Sequence, residues 1–136
     1  MRKTIIIAEV GECWNGDRGQ AKRLIEIAAE AGCDYVKFQT LDRDTVRDDD
    51  PEKDWFLKIA LSEEMIGFVV QLAAKNKIRP LFTPANARKA KMLKEQFKLR
   101  EVKIASSVVH NKETVEYIAK NYQTVFLSTG MSSLKE

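Results

Sequence analysis

Residues 34–40 read Asp34-Tyr35-Val36-Lys37-Phe38-Gln39-Thr40, DYVKFQT in one-letter code. The stretch is short, rich in Val, Phe and Tyr, and closely preceded by Gly32, which is the pattern of a buried strand. A lysine stands in the middle of it. Burying an unpaired ammonium costs several kcal/mol, so Lys37 must reach water, meet an anionic partner, or lie where the strand opens into a site. The same pattern recurs in REVKIASS, where Lys103 sits between Val102 and Ile104. Two buried-type strands, each with a lysine towards its carboxyl end, point to one shared anionic ligand. The competing reading is that each lysine pairs with a core carboxylate while the nearby hydroxyls only cap helices. Pattern alone leaves both open.

Working outward, five apolar strand-like runs appear at residues 4–10, 34–40, 79–83, 101–105 and 124–128, with helical patterns between them. Asp17 is placed to cap the first helix and Gly32 to stop it, while Ser62, Asn86 and Asn111 are placed to open the next three. Residues 41–54 are charged and carry Pro51, so they read as a surface loop, with a short helix expected in DWFLKIAL. Strands alternating with helices favour a parallel sheet covered by helices, because parallel neighbours need crossover connections. Nearly every strand ends in a polar side chain: Glu9, Lys37 with Gln39, Thr83, Lys103 with Ser106, and Ser128 with Thr129. An open sheet spreads its strand ends in a row, whereas a barrel gathers them around one axis. The fold expected is therefore α/β of the (β/α)8 TIM-barrel type, here about half a barrel with five parallel strands in the order 1-2-3-4-5 and four main helices. A whole barrel of this kind usually needs about 250 residues.

Composition bounds the function. The chain has 136 residues, 44% apolar and 32% charged, with a net charge of +3, as in an ordinary soluble domain. No apolar run approaches the roughly 18 residues of a membrane span. The apolar core of the first residues is too short for a signal peptide, so the expected location is the cytoplasm. Basic residues are spread along helices and do not cluster with aromatics, which argues against nucleic acid as a partner. Cys13 and Cys33 lack metal-ligand spacing and read as free thiols. The lone His110 falls in a loop and reads as solvated. No metal ligand is assigned in this chain.

Alternation along a strand places Tyr35, Lys37 and Gln39 on one face. Lys37 and Lys103, with the hydroxyls of Thr83, Ser106 and Ser128, supply the charge and donors that suit a phosphate or carboxylate. Glu9 adds an anion or a base. Trp14 and Trp55 fall in loops on the same side, either as stacking surfaces for a ring or as loop anchors.

The blocks IIIAEVGECWNGD, AGCDYVKFQT, LFTPAN, VKIASS and FLSTGMSS, in this order and each on an expected strand, resemble the N-acetylneuraminate (sialic acid) synthase family. The resemblance implies condensation of phosphoenolpyruvate with an N-acetylated hexose to give a nonulosonic acid. It also implies a (β/α)8 barrel followed by a small antifreeze-protein-like domain, a homodimer, and a divalent metal, manganese or magnesium, whose ligands lie outside this chain. Residues 1–136 then correspond to the N-terminal half of the barrel, without the later strands and the antifreeze-like domain. By motif, Lys37 and Lys103 match lysines that hold phosphoenolpyruvate, assisted by Thr83, Ser106 and Ser128. Glu9 and Gln39 match residues at the reacting centre. The sequence departs from the family pattern at Cys13 and Trp14, which replace an Asn-His pair, at Ser107 and Val108, which replace Gly and an acidic residue, and at Asn86, where Asp is common. The missing strands, the missing metal ligands and the lost carboxylate motivate a second reading, a truncated non-catalytic half-barrel serving as an anion-binding or assembly module. A third is an unrelated phosphate-binding α/β protein.

Overall fold

The computed structural model describes residues 4–130, 132 and 133, so Met131 of the last sequence block lies outside the described residues. Five parallel strands alternate with helices: β1 (Ile7–Gly11), α1 (Arg18–Glu30), β2 (Tyr35–Thr40), α2 (Lys53–Lys58), α3 (Glu63–Lys75), β3 (Arg79–Pro84), α4 (Ala87–Glu95), β4 (Glu101–Ile104), α5 (Lys112–Asn121) and β5 (Thr124–Leu127). The four expected caps all form. Asp17 accepts from the amides of Gly19 and Gln20, Ser62 from Met65, Asn86 from Lys89 and Asn111 from Thr114. These side chains satisfy amides that the first helical turn leaves without partners. The segment expected as loop is more ordered than that, holding a 3-10 turn at Arg43–Thr45 and the start of α2.

β1 begins three residues later than expected and β2 one residue later. Asp34 and Tyr35 both donate to the Ile6 carbonyl, and the Ile6 amide donates to the Asp34 carboxylate at 2.9 Å. The regular ladder starts only at Ile7 opposite Tyr35.

The strand order 1-2-3-4-5 holds in space, but the single continuous ladder expected of it does not. Hydrogen bonds join β1, β2 and β3 in one ladder and β4 with β5 in another, while β3 and β4 lie side by side without one. The sequence of β3 contributes to this. The amide of Arg79 bonds to Asp34 and that of Ala85 to Thr40, so odd-numbered amides face β2 and even-numbered ones face β4. Positions 80 and 84 are prolines, which have no amide hydrogen to give.

The two ladders are tied instead by side chains on the inner face. The Tyr35 hydroxyl donates to Glu101 at 2.8 Å, the Arg79 guanidinium meets the same carboxylate at 3.3 Å, and Arg79 also stacks 3.9 Å over the Tyr35 ring. Burial, followed by that hydrogen bond to Glu101, pushes the Tyr35 hydroxyl up to about 12. The Tyr35 ring also meets Phe126 edge-on at 5.3 Å. Across a flat sheet β2 and β5 would stand roughly 14 Å apart, so this contact requires the strands to curve around a common interior. The outer face carries the apolar core. Val36, Phe38 and Phe82 pack under Ile25 of α1 and Ile66 and Val69 of α3, and Val102 and Ile104 pack under α4 and α5. Among the described residues, no helix is long and apolar enough to cross a membrane.

Towards β5 the cover thins, and Val125 and Leu127 are 38% and 53% exposed, as are Ile5 and Ile6 near β1 at 51% and 49%. Apolar side chains beside open strand edges are an association hazard. The 136-residue chain by itself is expected to self-associate, and Val125→Lys with Leu127→Lys to reduce this, as read by sedimentation velocity. A monomeric parent chain that unfolds cooperatively at high temperature would contradict the expectation.

Candidate active site

Lys37 is the centre of the inner face. Alternation from Tyr35 sends it inward, between Glu9 of β1 and Leu81 of β3, its partners in register. Only 7% of it is exposed, yet it is not alone. The ammonium forms an ion pair with Glu9 Oε2 and donates to Thr83 Oγ1 at 3.4 Å. Glu9 is about half exposed and reaches the pair from the open edge. The reading of Lys37 as partner of a carboxylate is therefore realised, and so is its convergence with Thr83.

A bulge follows the pair. The register of β1 slips between Glu9 and Gly11, and Gly11 takes φ +50°, a left-handed conformation that favours glycine. A Cβ at Gly11 would lie 3.3 Å from Glu9 Oε1 and 3.6 Å from Gln39 Nε2, so glycine leaves room for these two side chains to approach from either side. Glu9 and Gln39 are thereby neighbours.

Lys103 lies on the inner face of β4, opposite Phe126. Burial pulls the pKa of its ammonium below the ordinary value, the positive charge of Lys37 lowers it further, and Glu9 opposes both. Among the described residues no carboxylate is within ion-pair distance of Lys103. The one nearby acid, Glu9, is engaged by Lys37. Two ammonium groups and one carboxylate therefore share the space at the carboxyl ends of β1, β2 and β4, and a positive charge is left over.

Ser106 and Ser128 stand just past adjacent strands. Ser106 packs beneath the next loop, 3.7 Å from where a Cβ on Gly130 would be, and the Ser128 amide donates to the Ile104 carbonyl. Among the described residues, no contact brings either hydroxyl onto a lysine. Trp14 is 6% exposed within the core cluster, so it is a loop anchor and not a stacking surface. Trp55 lies in α2, not in a loop, and packs edge-on against Phe56. Cys13 and Cys33 are free thiols, and His110 is exposed.

Beside the lysines, a cavity of 130 Å³ opens between the segments that follow β2, β3 and β4, lined by Gln39, Leu41, Thr83, Pro84, Ser107 and Val108 among others. Sequence reading misses the residue that holds its wall. Asp42 is 8% exposed and accepts from Asn86 Nδ2 at 3.0 Å and from Arg88 Nη2 at 2.5 Å. Burial alone would raise its pKa, but the hydrogen bonds from Asn86 and Arg88 outweigh it and hold the carboxyl below its usual value. The sequence signal was Asn86, read as a cap and as a departure from the family pattern. Among the described residues, no group of three or more His, Cys, Asp or Glu side chains is placed to hold a metal ion.

The NeuB family model matches residues 24–136. The chain belongs to the NeuB family. It is 34% identical over 151 aligned positions to the N,N'-diacetyllegionaminic acid synthase of Campylobacter jejuni, covering all of this chain and 45% of that protein. It is 31% identical to the synthase of the same name from Legionella pneumophila, covering 96% of this chain and 41% of that one. Among solved structures, the N-acetylneuraminic acid synthetase of Leptospira borgpetersenii, determined with citrate, superposes with a TM-score of 0.92 at 27% identity, over 98% of this chain and 47% of its own. The Chromobacterium violaceum spore coat polysaccharide biosynthesis protein E superposes with a TM-score of 0.84 at 23% identity, a likeness of fold. This NeuB chain is thus about half of a TIM barrel, and it spans a little under half the length of the relatives it matches.

The surplus charge has a measurable consequence. Inorganic phosphate should raise the melting temperature of the chain at mildly alkaline pH. The effect should fade as pH climbs towards the ordinary lysine value of 10.5, because Lys103, its pKa lowered, gives up its proton below that value. The unliganded fold should change in the opposite sense. Its folded state holds the Lys103 proton less tightly than the unfolded chain, so the penalty from this group shrinks as pH rises through the same window. Differential scanning fluorimetry across the window checks both. A phosphate effect that stays flat would mean that Lys103 does not meet the anion.

Proposed function

We propose that the chain carries the phosphoenolpyruvate-binding half of a nonulosonic acid synthase, a biosynthetic enzyme of the NeuB family. The observation that supports this most is the convergence of Lys37, Lys103 and Thr83 from three strands with a net positive charge. Phosphoenolpyruvate carries a phosphate and a carboxylate, and charge-assisted hydrogen bonds from two lysines and a hydroxyl answer that charge. Ser106 and Ser128, at the ends of the adjoining strands, are proposed to close around the phosphate once it is bound.

In the condensation, C3 of phosphoenolpyruvate forms a bond to the aldehyde carbon of an N-acetylated hexose, and the aldehyde oxygen takes up a proton. Water then adds at C2 and the bond from C2 to the phosphate oxygen breaks, releasing inorganic phosphate and leaving a 2-keto acid. Glu9 and Gln39 flank Gly11 at the edge of the lysine site, so they are assigned to the reacting centre. Anion binding gives Lys37 a second partner, which frees Glu9 to hold or accept a proton from the attacking water. A divalent metal, manganese or magnesium, would supply Lewis-acid polarisation of the aldehyde in the whole enzyme. The described residues offer no ligand set for it, so no step here depends on it. A homo-oligomer working in the cytoplasm belongs to the same proposal.

The test is binding of phosphoenolpyruvate by Lys37→Met and Lys103→Met variants, since methionine keeps the unbranched stem and removes the charge. Each should weaken binding by roughly 10- to 100-fold, the value of one charge-assisted contact. The measurement belongs in a full-length barrel that contains these residues, by calorimetry. Parent-like affinity in both variants would reject the reading and leave the lysines as structural partners of carboxylates.

A further inference from the structure

The lining of the 130 Å³ cavity carries no charged side chain among the described residues. Its apolar walls, Leu41, Pro84 and Val108, are interrupted by the amide of Gln39 and the hydroxyls of Thr83 and Ser107, all of them neutral. Such a surface suits a neutral group that is part apolar and part hydrogen-bonding, and would reject a second anion beside the lysines.

One wall is the segment after β2, and it is not held by secondary structure alone. Thr40 donates its hydroxyl to the Thr83 carbonyl at 3.3 Å, and the Thr45 hydroxyl donates to the Asp42 carbonyl at 2.7 Å. Between them, the Asp42 carboxylate reaches across to the start of α4. The choice of partners there is forced. Asn86 uses its Oδ1 to cap α4, accepting from the Lys89 amide at 2.9 Å, so only its Nδ2 faces Asp42 and that group must donate. Arg88 adds a charged donor to the same oxygen and reaches Asp44 at 3.3 Å. Asp42, Asn86 and Arg88 thus clasp the wall made by residues 41–45 to the wall made by residues 84 and 85.

We infer that Asp42 is a positioning residue, whose clasp on Asn86 and Arg88 holds this cavity open to an uncharged, amide- or hydroxyl-bearing part of the second substrate. The inference rests on the proposed function for the identity of that substrate, but the clasp itself rests on geometry. It also makes a polarity rule. A carboxylate at position 86 would still cap α4 but would face Asp42 as a like charge at hydrogen-bond distance. Exchanging both residues restores one donor and one acceptor between positions 42 and 86 in reverse order, but presents a donor to Arg88 where Asp42 presents an acceptor.

The experiment compares the parent protein with Asn86→Asp and with the double variant Asp42→Asn/Asn86→Asp, in a full-length barrel carrying these residues. Three readouts are taken: amide hydrogen exchange of residues 41–45, binding of N-acetylmannosamine as the neutral probe, and binding of inorganic phosphate. Asn86→Asp should speed exchange in 41–45 and weaken sugar binding by about tenfold, with phosphate affinity unchanged, and the double variant should recover part of both, since the Arg88 contact stays broken. Parent-like sugar binding and exchange in Asn86→Asp would overturn the inference, as would a double variant no better than the single. Equal weakening of sugar and phosphate would also overturn it, since the clasp would then act on the whole fold. Failure of the parent to bind phosphate would reject the proposed function, while recovery of slow exchange in the double variant would still establish the clasp. Failure of the parent to bind the neutral sugar would overturn the assignment of the cavity.

Discussion

The structure is organised around one buried ammonium. Lys37 sits in the most enclosed strand of the sheet, where an unpaired charge would cost more than a single buried apolar side chain returns. It is tolerated because β1 and β3 bring Glu9 and Thr83 to it from the two sides. Those partners arrive only if the three strands are parallel and in this register. Stability and function meet at the same contact. The charge at position 37, with Lys103 beside it, is what the proposed ligand would answer.

From this contact the rest of the site divides into two kinds of surface. The lysine side is charged and incompletely neutralised, because Glu9 can pair with only one of two ammonium groups. The cavity side is neutral, and its shape depends on a clasp made from residues far apart in sequence. The condensation proposed above joins a small dianion to an uncharged sugar, and would use both kinds of surface side by side at the ends of neighbouring strands. The barrel curvature that Tyr35 and Phe126 reveal brings those ends together.

Much of this was legible in the sequence, and the parts that were share a feature: they are local. Alternation within DYVKFQT was enough to put Lys37 and Gln39 on one face. The caps at Asp17, Ser62, Asn86 and Asn111 depend on amides two or three residues away, so their pattern could be read directly. What escaped was non-local. Nothing in the run around Glu9 tells that the strand register will set its carboxylate opposite Lys37. Asp42 looked like one of several acids in a charged loop, and only the folded chain sets it against Asn86 and Arg88. Trp14 looked like a loop residue because it is one in sequence, yet it packs into the core. The break between β3 and β4 was written in Pro80 and Pro84, but its meaning needed the knowledge of which amides face which neighbour.

The central claim is that Lys103 carries a charge that the protein leaves for its ligand to neutralise. It can be tested most directly by titrating the Lys103 side chain through its ε-carbon resonance in NMR, with and without phosphoenolpyruvate. The account predicts titration below the ordinary lysine value of 10.5 in the free protein and a clear upward shift on binding. Titration at the ordinary value, unmoved by phosphoenolpyruvate, would contradict it.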